Sequence, residues 1–293
     1  MSFKDRLGLG FSAGLFGLIG CVGVSDWDKG VIGTEIGDER VYPPTLSSFK
    51  GSFWVEQIPL VEYSGEDFFG IKDFVEDNLE GIMYKQEVEM GIRHFGVPEI
   101  FYGMPQGREE DSFATYRLLE DKICLNISAI EKGFVKLLKN PKRTNFLFIE
   151  EYVGMVLDHE LGHYYSDKFS ESLGLGSWPP LHFEENQKIG RKIIMEGIAE
   201  YFRIHMNVSS GNYCSIGGVK GNFTDTEWSD NVSQMRNSRH YYEGGHHLVK
   251  PIIDVHGRRG IETLIRNVLL EDSELRDMVG FRERIMTELE ATE

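Results

Sequence analysis

The chain has 293 residues, a formal net charge of −16 at pH 7, 41% hydrophobic residues and 27% charged residues. This balance is that of a folded globular protein with room for one large domain or two modest ones, and it excludes a disordered or fibrous chain. The negative charge repels polyphosphates and no block of Lys and Arg reverses it locally, so we expect no nucleic-acid partner.

The first residues are typical of an export signal. A short polar start precedes an uncharged run from Leu7 to Val24, within which residues 18–21 read Leu-Ile-Gly-Cys. That tetrapeptide resembles a lipobox, in which the cysteine thiol is acylated and becomes the first mature residue. We therefore predict a signal or membrane anchor at residues 1–21 with lipid on Cys21, and a protein exported to the cell surface or membrane. A glycine-rich buried segment is the alternative.

Residues 22–60 are punctuated by Gly, Pro and Ser and predict a tether. The folded domain is expected at 61–293. The chain has three cysteines, and if Cys21 carries lipid, Cys124 and Cys214 remain as a pair that can bridge outside the cell. Two separate buried thiols are the alternative.

Hydrophobic periodicity and turn residues predict strands first and helices afterwards. Residues 66–93 indicate one or two helices, 98–102 a short strand, and 113–127 a hairpin of two strands. Further helices are expected near 129–139, 145–169 and 184–206, followed by a helical tail from Tyr241 that is broken at Gly257 and Gly260. This order favours an α+β fold with a small mixed N-terminal sheet and a helical C-terminal half.

The most informative segment is a His-Glu-x-x-His motif within the helix predicted at 145–169. His159 and His163 are four residues apart, so in a helix their imidazoles lie one turn apart on one face and can reach the same tetrahedral zinc ion. Glu160 is placed to act as general base on a water molecule at the metal's open position. The alternative is a helix with two hydrogen-bonded histidines beside a solvated glutamate.

A zinc site needs a third protein ligand, and the helix predicted at 184–206 offers two glutamates. Glu196 stands among apolar residues, where an unpaired carboxylate is costly to bury and a metal ion would neutralise it. Glu200 lies one turn further and is expected to support a ligand imidazole. We predict one zinc per chain, held by His159, His163 and Glu196. Two surface glutamates on an exposed stripe are the alternative.

The segments HELGH at 159–163 and EGIAEYF at 196–202 together resemble the gluzincin metallopeptidases. The Glu-Gly-x-Ala-Glu-Tyr pattern is similar to that of the M1 aminopeptidases and the peptidase-MA-like group. The resemblance implies a zincin-like fold whose active-site cleft lies between the two halves of the domain, at 61–170 and 171–293. It also implies Glu196 as third zinc ligand and Glu200 as its supporting acid.

A Tyr-Glu-Gly-Gly segment begins at Tyr242 and is similar to a segment of M1-like enzymes whose tyrosine hydrogen-bonds the oxyanion. The resemblance therefore implies that Tyr242 stabilises developing negative charge, and Tyr241 and His240 are rival donors.

Other features depart from these families or are less specific. No Gly-x-Met-Glu-Asn motif is present to anchor a substrate amino terminus, so an aminopeptidase function is not implied. The gluzincin architecture implies an edge strand that binds substrate backbone, with 114–119 or 123–127 as the candidate. Three further polar residues are candidates to line the cleft: His182, Glu184 and Glu185.

These patterns predict an exported or surface-tethered zinc endopeptidase that acts on a peptide or protein substrate. In this hypothesis Glu160 takes a proton from water and returns it to the leaving amine, and Tyr242 stabilises the oxyanion. One rival is a protein of the same fold that binds a partner with little cleavage, or a latent, self-inhibited peptidase. A second rival is a structural zinc module, which would need a fourth protein ligand. The sequence predicts no oligomeric state.

Overall fold

The computed structural model describes residues 59–106, 112–139, 148–175, 185–205 and 223–291. The strands in these ranges are β1 (Leu60–Glu62), β2 (Glu99–Pro105), β3 (Ala114–Arg117) and β4 (Lys122–Leu125). The α-helices are α1 (Ile71–Met90), α2 (Ile127–Leu138), α3 (Ile149–Ser172), α4 (Glu185–His205), α5 (Gly245–Arg266), α6 (Asp272–Leu275) and α7 (Met278–Glu290). The predicted α+β fold, with a small sheet before a largely helical half, is confirmed.

The four strands form one mixed sheet in the order β1-β2-β4-β3. The predicted hairpin is confirmed, since β3 and β4 pair antiparallel and a 3₁₀ turn at Leu118–Glu120 joins them. Strand β2 pairs in parallel with β4, which places Phe101 opposite Cys124. Because β4 has a neighbour on each side, the expectation that 123–127 is the edge strand is wrong, and β3 takes that place.

Helix α3 is surrounded by the rest of the domain. It packs against α1 and β3 on one side and against α4 and α5 on the other. Apolar side chains such as Leu157, Leu161 and Phe169 therefore become fully buried. The same surroundings bury polar side chains of this helix, among them Asp158 and Glu160, which makes their ionisation dependent on specific partners.

Two close backbone contacts fix how α3, α4 and α5 lie. A Cβ atom added to Gly162 of α3 would lie 2.6 Å from the Cα atom of Ala199 in α4. A Cβ atom added to Gly197 of α4 would lie 2.5 Å from the carbonyl of Gly245 in α5. Larger side chains at these points would force the helices apart, so the small residues allow the helix faces to meet.

The predicted break in the C-terminal helix is confirmed at Gly257, whose φ of 52° and ψ of −128° are non-helical. The break predicted at Gly260 is wrong, since that residue lies within helix α5. Directly before α5, residues Arg239–Gly244 form a π-helical turn that the sequence pattern did not predict. Strand β1 was not predicted either, since three residues are too few to show a period.

Several predictions concern residues outside the described ranges. These are the signal or anchor at 1–21 with lipid on Cys21, the tether at 22–58, Cys214, His182 and Glu184. Cys124 lies buried in β4, and Glu185 begins α4. Among the described helices, none is both long and apolar enough to cross a bilayer.

Asp158 gives a test of the packing between α1 and α3. Gln86 of α1 donates a hydrogen bond of 2.6 Å to its carboxyl group, but burial raises the pKa of Asp158 to about 8. The unfolded chain ionises this group near pH 3.8, so its contribution to stability is lost as pH rises from about 4 towards 8. Asp158→Asn should therefore raise the free energy of unfolding at pH 7 by about 1–4 kcal/mol and flatten its pH dependence.

Urea denaturation between pH 4 and 8 measures this effect. Asp77→Asn, at an exposed position of α1, is the matched control and should leave the pH profile of the wild type unchanged. An Asp158→Asn protein less stable than wild type at pH 7 would show that the ionised carboxylate is the native form.

Candidate metal centre

Three side chains from two helices converge where α3 crosses α4. His159 and His163 project from adjacent turns of α3, and their ring centroids lie 4.9 Å apart. Glu196 of α4 faces both, with its Oε2 atom 3.4 Å from His159 Nε2 and 3.6 Å from His163 Nε2. One ligand atom from each of the three residues lies within 4.8 Å of the other two. The group could therefore hold a metal ion.

The surroundings of Glu196 fit a cation at the centre of this group. Its Oε2 atom is buried and has no hydrogen-bond partner among the described residues. Both imidazole nitrogens are further away than the ~2.7–3.2 Å of an ordinary N–H···O hydrogen bond. A metal ion between the three side chains would satisfy this oxygen and offset the several kcal/mol that burying an unpaired carboxylate costs.

Electrostatics in the group also favour positive charge. Burial by itself disfavours a charged imidazole, but the carboxylates of Glu196 and Glu200 outweigh it and raise the pKa of His159 to about 10. Burial likewise opposes ionisation of Glu196, but the neighbouring imidazoles of His159 and His163 hold its pKa below the usual range. The carboxylate is therefore ionised and available as a ligand at neutral pH.

Glu200 lies behind His159, on the side away from Glu196. Its Oε1 atom is 3.1 Å from His159 Nδ1, although the contact is not aligned as a hydrogen bond. Arg203 donates from Nε to the same carboxylate at 2.9 Å. Burial opposes ionisation of Glu200, but Arg203 and His159 outweigh it and lower its pKa to about 2. A charged Glu200 therefore lies next to the His159 imidazole and favours positive charge on it.

Glu160 is buried beside the group but is not one of its three members. The backbone N–H of Tyr116 in β3 lies close to its carboxylate and favours the ionised form. Burial raises the pKa of Glu160, and the nearby imidazoles of His159 and His163 only partly oppose this. The raised pKa makes the carboxylate a better proton acceptor than a solvated glutamate.

Of the three candidate donors, His240, Tyr241 and Tyr242, it is Tyr242 that lies next to the group. Its ring centroid lies 5.9 Å from that of His159, and its hydroxyl lies close to the carboxylate of Glu196. Burial and the charges of the surrounding glutamates raise the pKa of Tyr242 well above 10, so the hydroxyl keeps its proton. The rival His240 instead contacts Asn237 and the carbonyl of Glu227, and the ring of Tyr241 packs under Lys192.

Sequence reasoning missed two contributors to this centre. Arg203 stands three residues after Glu200, a helical spacing that could have indicated the ion pair. Tyr116 was missed because its contribution is a backbone N–H, which no side-chain pattern reveals. Its hydroxyl oxygen lies 2.9 Å from Asp121 and 3.1 Å from Asp167 of α3, and its single proton can be donated to either carboxylate.

Comparisons of the chain with protein-family models, with curated proteins and with solved structures found no match.

The two glutamates of α4 give a test of the metal centre. Glu196→Ala removes a ligand and should lower zinc affinity more than Glu200→Ala, for which we expect a decrease of about 10–100-fold because Glu200 only orients His159. His163→Ala should abolish tight zinc binding at this group. Competition with a chromophoric chelator gives the affinities, and elemental analysis after dialysis gives the stoichiometry.

Glu80→Ala, at an exposed position of α1, is the matched control and should bind zinc like the wild type. A larger loss for Glu200→Ala than for Glu196→Ala would identify Glu200 as the ligand.

Proposed function

We propose that this protein is a zinc-dependent endopeptidase of the gluzincin type, with one zinc per chain held by His159, His163 and Glu196. The observation that carries the proposal is a buried carboxylate, Glu160, next to a three-membered metal-binding group. A site that only bound metal would not need that carboxylate. Export and a lipid anchor at Cys21 belong to the same proposal, and they would place the enzyme at the cell surface.

The number of protein ligands favours catalysis over a structural role. Structural zinc sites are closed by four protein ligands, whereas catalytic sites have three and leave one position for water or substrate. Within the described ranges, no fourth His, Cys, Asp or Glu joins the group. When bound, zinc would lower the pKa of a water molecule and polarise the carbonyl of the scissile peptide bond.

Proton transfer would be the task of Glu160. Its carboxylate would take a proton from the attacking water and return it to the nitrogen of the leaving amine. The backbone N–H of Tyr116 lies close to this carboxylate and favours its ionised form, which is the form that accepts the proton.

Tyr242 would stabilise the oxyanion that develops as water adds to the carbonyl. Its hydroxyl keeps its proton and lies close to the carboxylate of Glu196, so it can donate a hydrogen bond to the oxyanion. Such a donor acts mainly on the transition state, and its removal should lower kcat with little change in KM.

Strand β3 supports a peptide as the substrate. It is an edge strand of the sheet and packs against α3, which carries His159, Glu160 and His163. An extended peptide can add to such an edge through backbone hydrogen bonds, which recognise a main chain of any sequence. This would bring the carbonyl of a bound peptide to the side of the sheet where Glu160 lies.

Glu160→Gln separates metal binding from chemistry. The amide is nearly the same size as the carboxylate but cannot accept the proton, so zinc content and fold should be retained while cleavage falls by at least about 10²–10⁴-fold. Tyr242→Phe should also retain zinc and lower turnover. Cleavage is measured on a peptide substrate found by screening a library with the wild type.

Glu171→Gln is the control, because Glu171 is exposed on the same helix and should not affect cleavage. Full activity of Glu160→Gln would disprove the proposed mechanism even if zinc is bound. If the wild type cleaves nothing across a broad library, the fold serves to bind a partner or is held in a latent form.

A further inference from the structure

A second pair of imidazoles faces each other where α4 ends and α5 begins. His205 is the last residue of α4, and His246 lies in the first turn of α5. Their Nε2 atoms are 3.2 Å apart, and their ring planes are within 15° of parallel. Neither residue belongs to the group formed by His159, His163 and Glu196.

The separation of the two nitrogens matches that of two ligands on one metal ion. Zinc binds imidazole nitrogen at about 2.0–2.1 Å with tetrahedral angles, which places two such nitrogens about 3.3–3.4 Å apart. A bond of the Nε2–H···Nε2 type has a similar length, but it needs a proton on one of the two facing nitrogens. At this separation both nitrogens can bind the same metal ion in place of that proton.

The packing around the pair holds both rings in position. The ring of Tyr201 stacks on His205 with centroids 4.4 Å apart. Asp254 of α5 accepts a hydrogen bond of 3.0 Å from the Tyr201 hydroxyl, which ties that ring to the second helix. The helices themselves are held together by the contact between Gly197 and Gly245. A site formed here is therefore largely preorganised.

The charged groups near the pair are balanced among themselves. From α4, Arg203 pairs with Glu200, and from α5, Lys250 pairs with Asp254. Burial and the neighbouring imidazole lower the pKa of His246 to about 4, and burial and Lys250 lower that of His205. Both imidazoles are therefore neutral at pH 7, the form that binds metal.

We propose that His205 and His246 form a second binding site for a divalent transition-metal ion, with water completing the coordination. Imidazole ligands suit Zn²⁺, Ni²⁺ and Cu²⁺. Two protein ligands instead of three, and two cationic side chains nearby, make this site weaker than the one formed by His159, His163 and Glu196. The site would connect α4 to α5, so its occupation should stabilise the folded protein.

Calorimetric titration with Zn²⁺ and with Ni²⁺ tests the proposal. The wild type should take up a second, weaker equivalent, and His163→Ala should retain only that one. His205→Gln and His246→Gln should each lose the weaker equivalent and keep the tight one. His94→Gln removes an exposed imidazole elsewhere and should bind like the wild type. The titration measures binding at the tight site separately, so failure of this proposal does not bear on the proposed peptidase.

Thermal unfolding of His163→Ala gives a second readout. Added Zn²⁺ should raise its Tm, and the further change His246→Gln should remove that rise. Protection of His205 and His246 from diethylpyrocarbonate by Zn²⁺, read by mass spectrometry in His163→Ala, tests the site without altering the pair. Uptake of a single equivalent by the wild type, or a second equivalent that persists in His205→Gln and His246→Gln, would overturn the proposal.

Discussion

The carboxylate of Glu196 is buried next to two imidazoles, and the groups around it offset the free-energy cost of that burial. An ionised carboxylate inside a protein requires a compensating positive charge, and without one the penalty is several kcal/mol. Here the compensation comes from His159 and His163, and a bound dication would complete it. Glu200 is also buried, and the positive charge of Arg203 compensates its carboxylate. The two histidines, the two glutamates and Arg203 thus form one connected set of side chains within α3 and α4.

That set can assemble only because the helices approach more closely than ordinary side chains permit. Gly162 lies against Ala199, and Gly197 lies against Gly245. The first contact brings the two histidines of α3 to Glu196, and the second brings the start of α5 to α4. The π-helical turn before α5 then presents Tyr242 to Glu196. The group that could hold a metal ion, the place of Tyr242 beside it and the second imidazole pair therefore depend on two backbone contacts.

Burial and neighbouring charges shift the pKa values of two histidines in opposite directions. Carboxylates raise the pKa of His159 to about 10 despite its burial. His246 is also buried but faces another imidazole and two cationic side chains, and its pKa falls to about 4. The first environment attracts positive charge strongly, while the second keeps imidazole neutral and its lone pair free. This difference in environment is the basis for proposing that the second metal site is weaker than the first.

The sequence by itself determined what is encoded at short range. The four-residue spacing of His159 and His163 predicted that both imidazoles lie on one face of a helix. The apolar residues around Glu196 predicted that its carboxylate is buried and needs a compensating positive charge. Hydrophobic periodicity predicted the helices, the hairpin and the α+β fold class. Tertiary structure alone decided the parallel pairing of β2 with β4 and the place of β3 at an edge of the sheet formed by the described strands. It also decided that Tyr242 and not His240 approaches Glu196, and that His205 contacts His246 across 41 positions. The reason is physical: a repeat of 2.0 or 3.6 residues fixes which side chains share a face, whereas the partner of that face depends on how closely whole elements can pack.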